Sequence, residues 1–213
     1  YQVGFDAAMR GERIANDAKI NQCRKAEADI SESQLDLGFK AGMGRYCDFE
    51  QVYQIGKLGD NFNTEFCDPG QLSRLKQRHH EGIVVYCQNG TVAGLSGKKY
   101  QQVCPENLEK SFLPDYRKAR KKYLQGVLVN DQEKLTSVDN ELKLLQSEKW
   151  MVDGHLSSLP VVPPADNDPY LSHRQQLRDQ SWQLSSRINE KSAVKNHLQQ
   201  SIDQNKQEIV TLD

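Results

Sequence analysis

The sequence has no long apolar run, no cysteine beyond residue 104 and no excess of charge of either sign. Each shortage excludes something. A helix that spans a bilayer takes about 20 consecutive apolar residues, and no stretch approaches that length. Lys and Arg total 28 against 29 Asp and Glu, a net charge of -1. A chain so balanced has no global field with which to hold nucleic acid or an anionic membrane. Hydrophobic residues are 37% of the 213, too few for a large core, so stability has to come from cross-links or from an architecture that needs little core. The chain begins at Tyr1 without an initiator Met or a basic-then-apolar leader, which reads as a processed or trimmed product.

Catalytic motifs are equally scarce. There is no G-x-S-x-G, no H-E-x-x-H and no carboxylate pair in an apolar setting. Gly97-Lys98-Lys99 falls short of a phosphate-binding loop, because Val92 stands where the first glycine is required and no Ser or Thr follows the lysine. Cys23 with His79 or His80 is a remote nucleophile pair that would need a reduced thiol. The sequence therefore leads us to expect no enzyme, no cofactor and no metal. Asn89-Gly90-Thr91 fits a glycosylation acceptor and also a turn, and the turn is the simpler reading.

What is present begins with five cysteines, Cys23, Cys47, Cys67, Cys87 and Cys104, all in the first half. Zinc ligands usually come as pairs two to four residues apart, whereas these are widely and evenly separated. Disulfides in an oxidising compartment suit the spacing better, and each closed loop would contribute on the order of 3 kcal/mol. An internal repeat points to the pairing. Gly42 to Cys47 reads G-x-x-x-Y-C, and so does Gly82 to Cys87; Gly56-x-x-Gly59 then precedes Cys67, as Gly94-x-x-Gly97 precedes Cys104. Repeated units would carry repeated bridges, Cys47 to Cys67 and Cys87 to Cys104, with Cys23 left over. A rival, Cys23 to Cys47 with Cys67 free, fits the spacings too. The start of the chain carries an echo: Tyr1-Gln-Val-Gly4 parallels Tyr53-Gln-Ile-Gly56. Leu35, Gly38, Gly42 and Tyr46 recur at steps of three and four, one face of a helix, and glycine on such a face lets a neighbouring backbone approach closely.

The order of these motifs resembles an uncharacterised domain-of-unknown-function family found among small Gram-negative envelope lipoproteins. The matching residues are Tyr1, Gly4, Phe5, Asp6, Gly11 and Cys23, then Gly38, Gly42, Tyr46 and Cys47. They close with Gly94, Gly97, Tyr100, Val103, Cys104, Pro105, Leu108, Glu109, Phe112 and Tyr116. The resemblance covers roughly residues 1 to 120 and brings no catalytic residue with it. It implies a lipid-modified cysteine upstream of Tyr1, a periplasmic location and tethering to the outer membrane.

Beyond Pro114 the composition shifts to Lys, Gln, Glu, Leu and Ser. Leu128, Leu135, Val138, Leu142, Leu145, Val152, Leu156 and Leu159 form a heptad seam interrupted by Asp131 and Lys149. A second seam runs through Leu177, Leu184, Ile188, Leu198, Ile202, Ile209 and Leu212, with Lys191, Lys195 and Asn205 between. Four prolines within 160–169 separate the arms, so the pattern describes an antiparallel coiled-coil hairpin with a Pro-rich turn there. The one dense basic cluster, Arg117, Lys118, Arg120, Lys121 and Lys122, lies at its start. It reads as a solvated helix start or as an anion contact.

The expectation is a mainly α protein, with a disulfide-stapled helical repeat domain at 1–113 and a helical hairpin at 114–213. Its expected role is that of a non-enzymatic accessory or scaffold subunit of a multiprotein envelope machine of the secretion, flagellar, pilus or efflux type. Docking would use Leu135, Leu142, Trp150, Trp182, Leu184 and Ile188 against partner subunits or a second copy, with no nucleic acid and no membrane contact besides the lipid anchor. The alternative is a periplasmic binding or inhibitor domain for a glycan or peptide, with the hairpin as a spacer.

Overall fold

A computed structural model describes residues 1–160 and 170–212. Eight α-helices follow one another among the described residues, which contain no strand: α1 Gln2–Met9, α2 Ala18–Lys25, α3 Glu32–Tyr46, α4 Phe49–Lys57, α5 Leu72–Cys87, α6 Gly90–Leu95, α7 Glu106–Ser158 and α8 Leu171–Thr211. Side-chain caps set several starts. Asp17 accepts from the Ile20 amide ahead of α2, and Asp48 accepts from Glu50 and Gln51 ahead of α4. Ile83-Val-Val-Tyr86, the most strand-like run of the sequence, continues α5. The chain forms two compact units, Tyr1–Tyr123 and Leu124–Asp213. Pro114 lies inside α7 rather than at its start. Residues after it still serve the first unit, since Tyr116, Ala119 and Arg120 are buried, and the backbone at Tyr116 and Arg120 lies against Gly90 and Gly94 of α6.

The first unit is built from three copies of one motif, a short helix packed on a longer one. The pairs are α1 with α3, α4 with α5, and α6 with the opening turns of α7. In each, small residues of the short helix sit directly on the backbone of the long one. A Cβ added at Gly4 would lie 2.1 Å from the Leu35 carbonyl oxygen, and one at Gly90 2.5 Å from that of Phe112. One turn on, a Cβ at Gly56 would lie 2.2 Å from the His79 carbonyl oxygen and one at Gly94 2.5 Å from that of Tyr116. The short helix then ends at a left-handed glycine, Gly11, Gly59 or Gly97, with φ of +69°, +70° and +82°. Each of these glycines rests against a tyrosine of its long helix, Tyr46 and Tyr86 in the last turn of theirs and Tyr123 partway along α7.

These contacts fix the register between copies and correct the sequence alignment at the start of the chain. Gly4 corresponds to Val52 and Gly90, and Ala8 to Gly56 and Gly94. The echo of Tyr1–Gly4 in Tyr53–Gly56 is therefore one helical turn out of step. Its cause is that alanine is small enough for the contact that glycine makes elsewhere. The last copy is disguised in the same way, with Ala119 where the others have Gly42 and Gly82, and Leu124 where they have Cys47 and Cys87.

Cys47 is bonded to Cys67 and Cys87 to Cys104, and Cys23 is exposed and unbonded. Each bridge ties the end of one long helix to the loop inside the next copy, so the staples run between repeats. The loops are further fixed by aromatic hydroxyls. Tyr46 accepts from the Asn63 amide at 2.8 Å, and Tyr116 accepts from the Tyr100 amide at 2.8 Å while donating to the Lys98 carbonyl at 3.1 Å. Two small cores result, one around Val52, Leu75 and Tyr46 and one around Ile83, Phe112 and Tyr116.

Gly82→Ala is expected to destabilise the first unit by about 1–3 kcal/mol through overpacking, because its Cβ would fall 2.2 Å from the Tyr53 carbonyl oxygen. Gly126→Ala meets nothing within 4 Å and should stabilise its helix by about 0.5–1 kcal/mol. Urea unfolding of the two variants beside the parent measures the difference, and equal effects would contradict the close-approach account.

Candidate functional site

The second unit is a hairpin of α7 and α8. Val138, Leu142 and Leu145 of α7 and Leu177, Leu184 and Ile202 of α8 are buried in its seam. The polar residues that interrupt the apolar pattern meet across it. Lys149 donates to Ser181 at 3.0 Å, Ser181 donates to Asp153 at 2.6 Å and Ser201 donates to Asp131 at 3.0 Å. Lys191 pairs with Glu141 at 2.5 Å and Lys195 with Asp139 at 2.7 Å. Residue numbers fall along α7 as they rise along α8, which makes the pair antiparallel. Shifting one helix by a turn would part all five contacts and leave the buried Asp131 carboxylate with Lys134 of its own helix alone, so the polar positions specify register. The Pro-rich turn expected at 160–169 lies, apart from Pro160, outside the described residues.

The six docking candidates separate into two groups. Leu142 and Leu184 are buried, and Leu135 and Ile188 are half-covered, because the heptad spacing that singled them out is the spacing of the intramolecular seam. Docking by Leu142 and Leu184 is corrected accordingly, whereas Leu135 and Ile188 keep part of their surface. Trp150 and Trp182 are 78% and 73% exposed. They directly follow Lys149 and Ser181, which are hydrogen-bonded to each other across the seam. An antiparallel helix pair has a local two-fold axis normal to the plane of the two helices, so residues equivalent about that bond lie on one face at one level. The cross-seam contacts therefore put residues 150 and 182 at one level of the hairpin, both largely exposed. Sequence periodicity could not reveal this, since it depends on the register between arms.

The basic cluster also divides. Arg120 is buried, donates to the Gly97 carbonyl and lies over the Tyr123 ring at 5.4 Å. It takes the place that Ile83 occupies in the preceding copy and belongs to the packing of the first unit. Arg117, Lys118 and Lys122 are exposed and Lys121 is partly so. No helix of the described residues is long and apolar enough to cross a membrane, and no group of three or more His, Cys, Asp or Glu among them is placed to hold a metal.

The chain matches the family described as "Protein of unknown function (DUF2799)" over residues 1–84 and again over 71–121. Together the matches cover more than half of its length. The chain belongs to the DUF2799 family. The two matches overlap within α5, so the family's pattern is read twice along the tandem copies, and the hairpin beyond residue 121 lies outside it. No curated protein and no solved structure matches the chain.

Lys149 and Ser181 hold the Asp153 carboxyl below its ordinary value, Lys149 contributing most. A depressed carboxyl stabilises the fold above its unfolded pKa of about 4 and loses that contribution as pH falls through the folded value. Asp153→Asn should therefore lower the hairpin's melting temperature at pH 7, and the gap from the parent should close in that acid window. Circular dichroism melts of both proteins across pH 2–7 check this, and a gap that persists at the acid end would contradict it.

Proposed function

We propose that this protein is a non-enzymatic accessory or scaffold subunit of a multiprotein envelope assembly, docking on its partner through the hairpin face that carries Trp150 and Trp182. The observation that carries the reading is the exposure of two tryptophans at one level of the hairpin. Large aromatics cost free energy in water and are the residues that most often dominate binding at interfaces. Other apolar residues of the hairpin are exposed too, among them Leu144 and Val210, but the two tryptophans carry the largest apolar surface.

The two disulfides support an oxidising compartment, and the family resemblance supports the periplasm of a Gram-negative cell with an N-terminal lipid anchor at the outer membrane. In this reading the DUF2799 copies form the stapled base and the hairpin, outside the family pattern, gives this chain its particular partner.

A photo-crosslinking residue at position 182, activated in native envelopes and followed by mass spectrometry, should give a few defined protein adducts. Trp150→Ala should reduce them at least tenfold with helical content unchanged. Adducts of the same identity and yield in Trp150→Ala would overturn docking by this face, and recovery of the protein with the cytoplasmic fraction would overturn the compartment.

A further inference from the structure

The first unit contains a cleft of about 290 Å³ between the end of α5, the end of α4 and α6. Its walls are apolar, formed by Leu58, Val85, Val92 and Ala93, with the Tyr86 ring inside and Lys57 at the rim. That volume is close to the lower end of the range for small-molecule sites, roughly 300–1,000 Å³. The tandem copies supply an internal control, because the same junction exists between the first and second copies. There the place of Ala93 is taken by Ile55 and the place of Lys57 by Met9, and these two pack with Tyr46 in a filled core. The second junction is open because isoleucine has become alanine and methionine has become lysine.

The tyrosines differ in the same sense. Tyr46 is buried and its hydroxyl accepts from the Asn63 amide. The Tyr86 hydroxyl has no hydrogen-bond partner among the described residues, and Lys57 has no ion pair among them, whereas Lys98 at the same rim is neutralised by Asp60 at 2.7 Å. Burial, with smaller effects of Tyr116 and Asp60, pushes the Tyr86 hydroxyl up to about 12, so it remains a proton donor throughout the physiological range. An apolar cavity with one uncompensated ammonium and one unused hydroxyl donor matches a ligand with an aliphatic body and an anionic oxygen-bearing head.

We infer that the cleft between the second and third copies binds a small acyl carboxylate, its chain against Val85, Val92 and Ala93 and its carboxylate held by Lys57 and the Tyr86 hydroxyl. This site is independent of the hairpin face and stands or falls apart from the docking role.

The test is isothermal titration of the full chain with decanoate, below its micelle concentration, beside decylamine, which shares the chain and reverses the charge. Decanoate should bind with one-to-one stoichiometry and decylamine at least tenfold more weakly. Ala93→Ile, which restores the residue of the filled junction, should abolish binding, and Lys57→Met should weaken it at least tenfold. Methyl shifts of Val85 and Val92 on titration place the ligand independently of any variant's folding. Equal binding of decanoate and decylamine, unchanged binding in Ala93→Ile, absence of decanoate binding to the parent, or shifts confined to the hairpin would each overturn the inference.

Discussion

The first unit depends on one constraint, the approach of a short helix to the backbone of a longer one at positions that admit no side chain beyond a methyl group. Because dispersion falls off within an ångström of contact distance, glycine and alanine at these positions let short helices such as α1 and α4 bury area against their partners that larger residues would forfeit. The left-handed glycine then turns the chain away, and the tyrosine of the long helix packs on the bare face that glycine leaves. Removing the close approach would separate the glycine from its tyrosine and the loop from the hydroxyls that tie it. The disulfides depend on the same geometry, since they join the end of one long helix to the loop of the next copy only where the copies stack in register.

The hairpin meets the shortage of apolar residues differently. Its seam carries lysines, aspartates and serines that an aliphatic seam would not need, and they meet across the helices. Exposed ion pairs contribute little to stability, so their main effect is on specificity: the antiparallel register satisfies all of them together. With arm register fixed, Trp150 and Trp182 fall at one level of the two arms. The seam and the docking face are therefore two consequences of one alignment.

Much of the fold was legible in the sequence. The repeated G-x-x-x-Y-C and G-x-x-G motifs pointed to bridges at Cys47–Cys67 and Cys87–Cys104, and heptad spacing pointed to two long helices. What escaped was whatever a contact demands by size rather than by residue type. Ala8 and Ala119 do the work of glycine and so hid the true register of the first copy and the existence of the third. Asp131 and Lys149 looked like breaks in a seam because their partners lie on the other arm. Arg120 looked like one charge among five, yet it replaces a core isoleucine, its guanidinium held by a carbonyl and an aromatic ring. Leu142 and Leu184 looked like docking residues because internal and external seams share a period.

Three copies on one geometric plan also turn their differences into evidence. Where all three copies place a small residue, the position serves packing; where one departs, the departure needs its own cause. Leu124 in place of cysteine coincides with the last copy, which has no following loop to staple. Arg120 in place of Ile83 brings its own hydrogen bond, so the change is internally compensated. Lys57 and Ala93 in place of Met9 and Ile55 are different, because nothing in the unit compensates them. They open an apolar space beside the Tyr86 ring and place an unpaired charge at its edge. The open space forfeits packing contacts in the empty protein, while the exposed Lys57 ammonium is available to a ligand. A ligand with an apolar body and an anionic head fills the space and meets the ammonium, which the first junction, filled by Met9 and Ile55, does not offer.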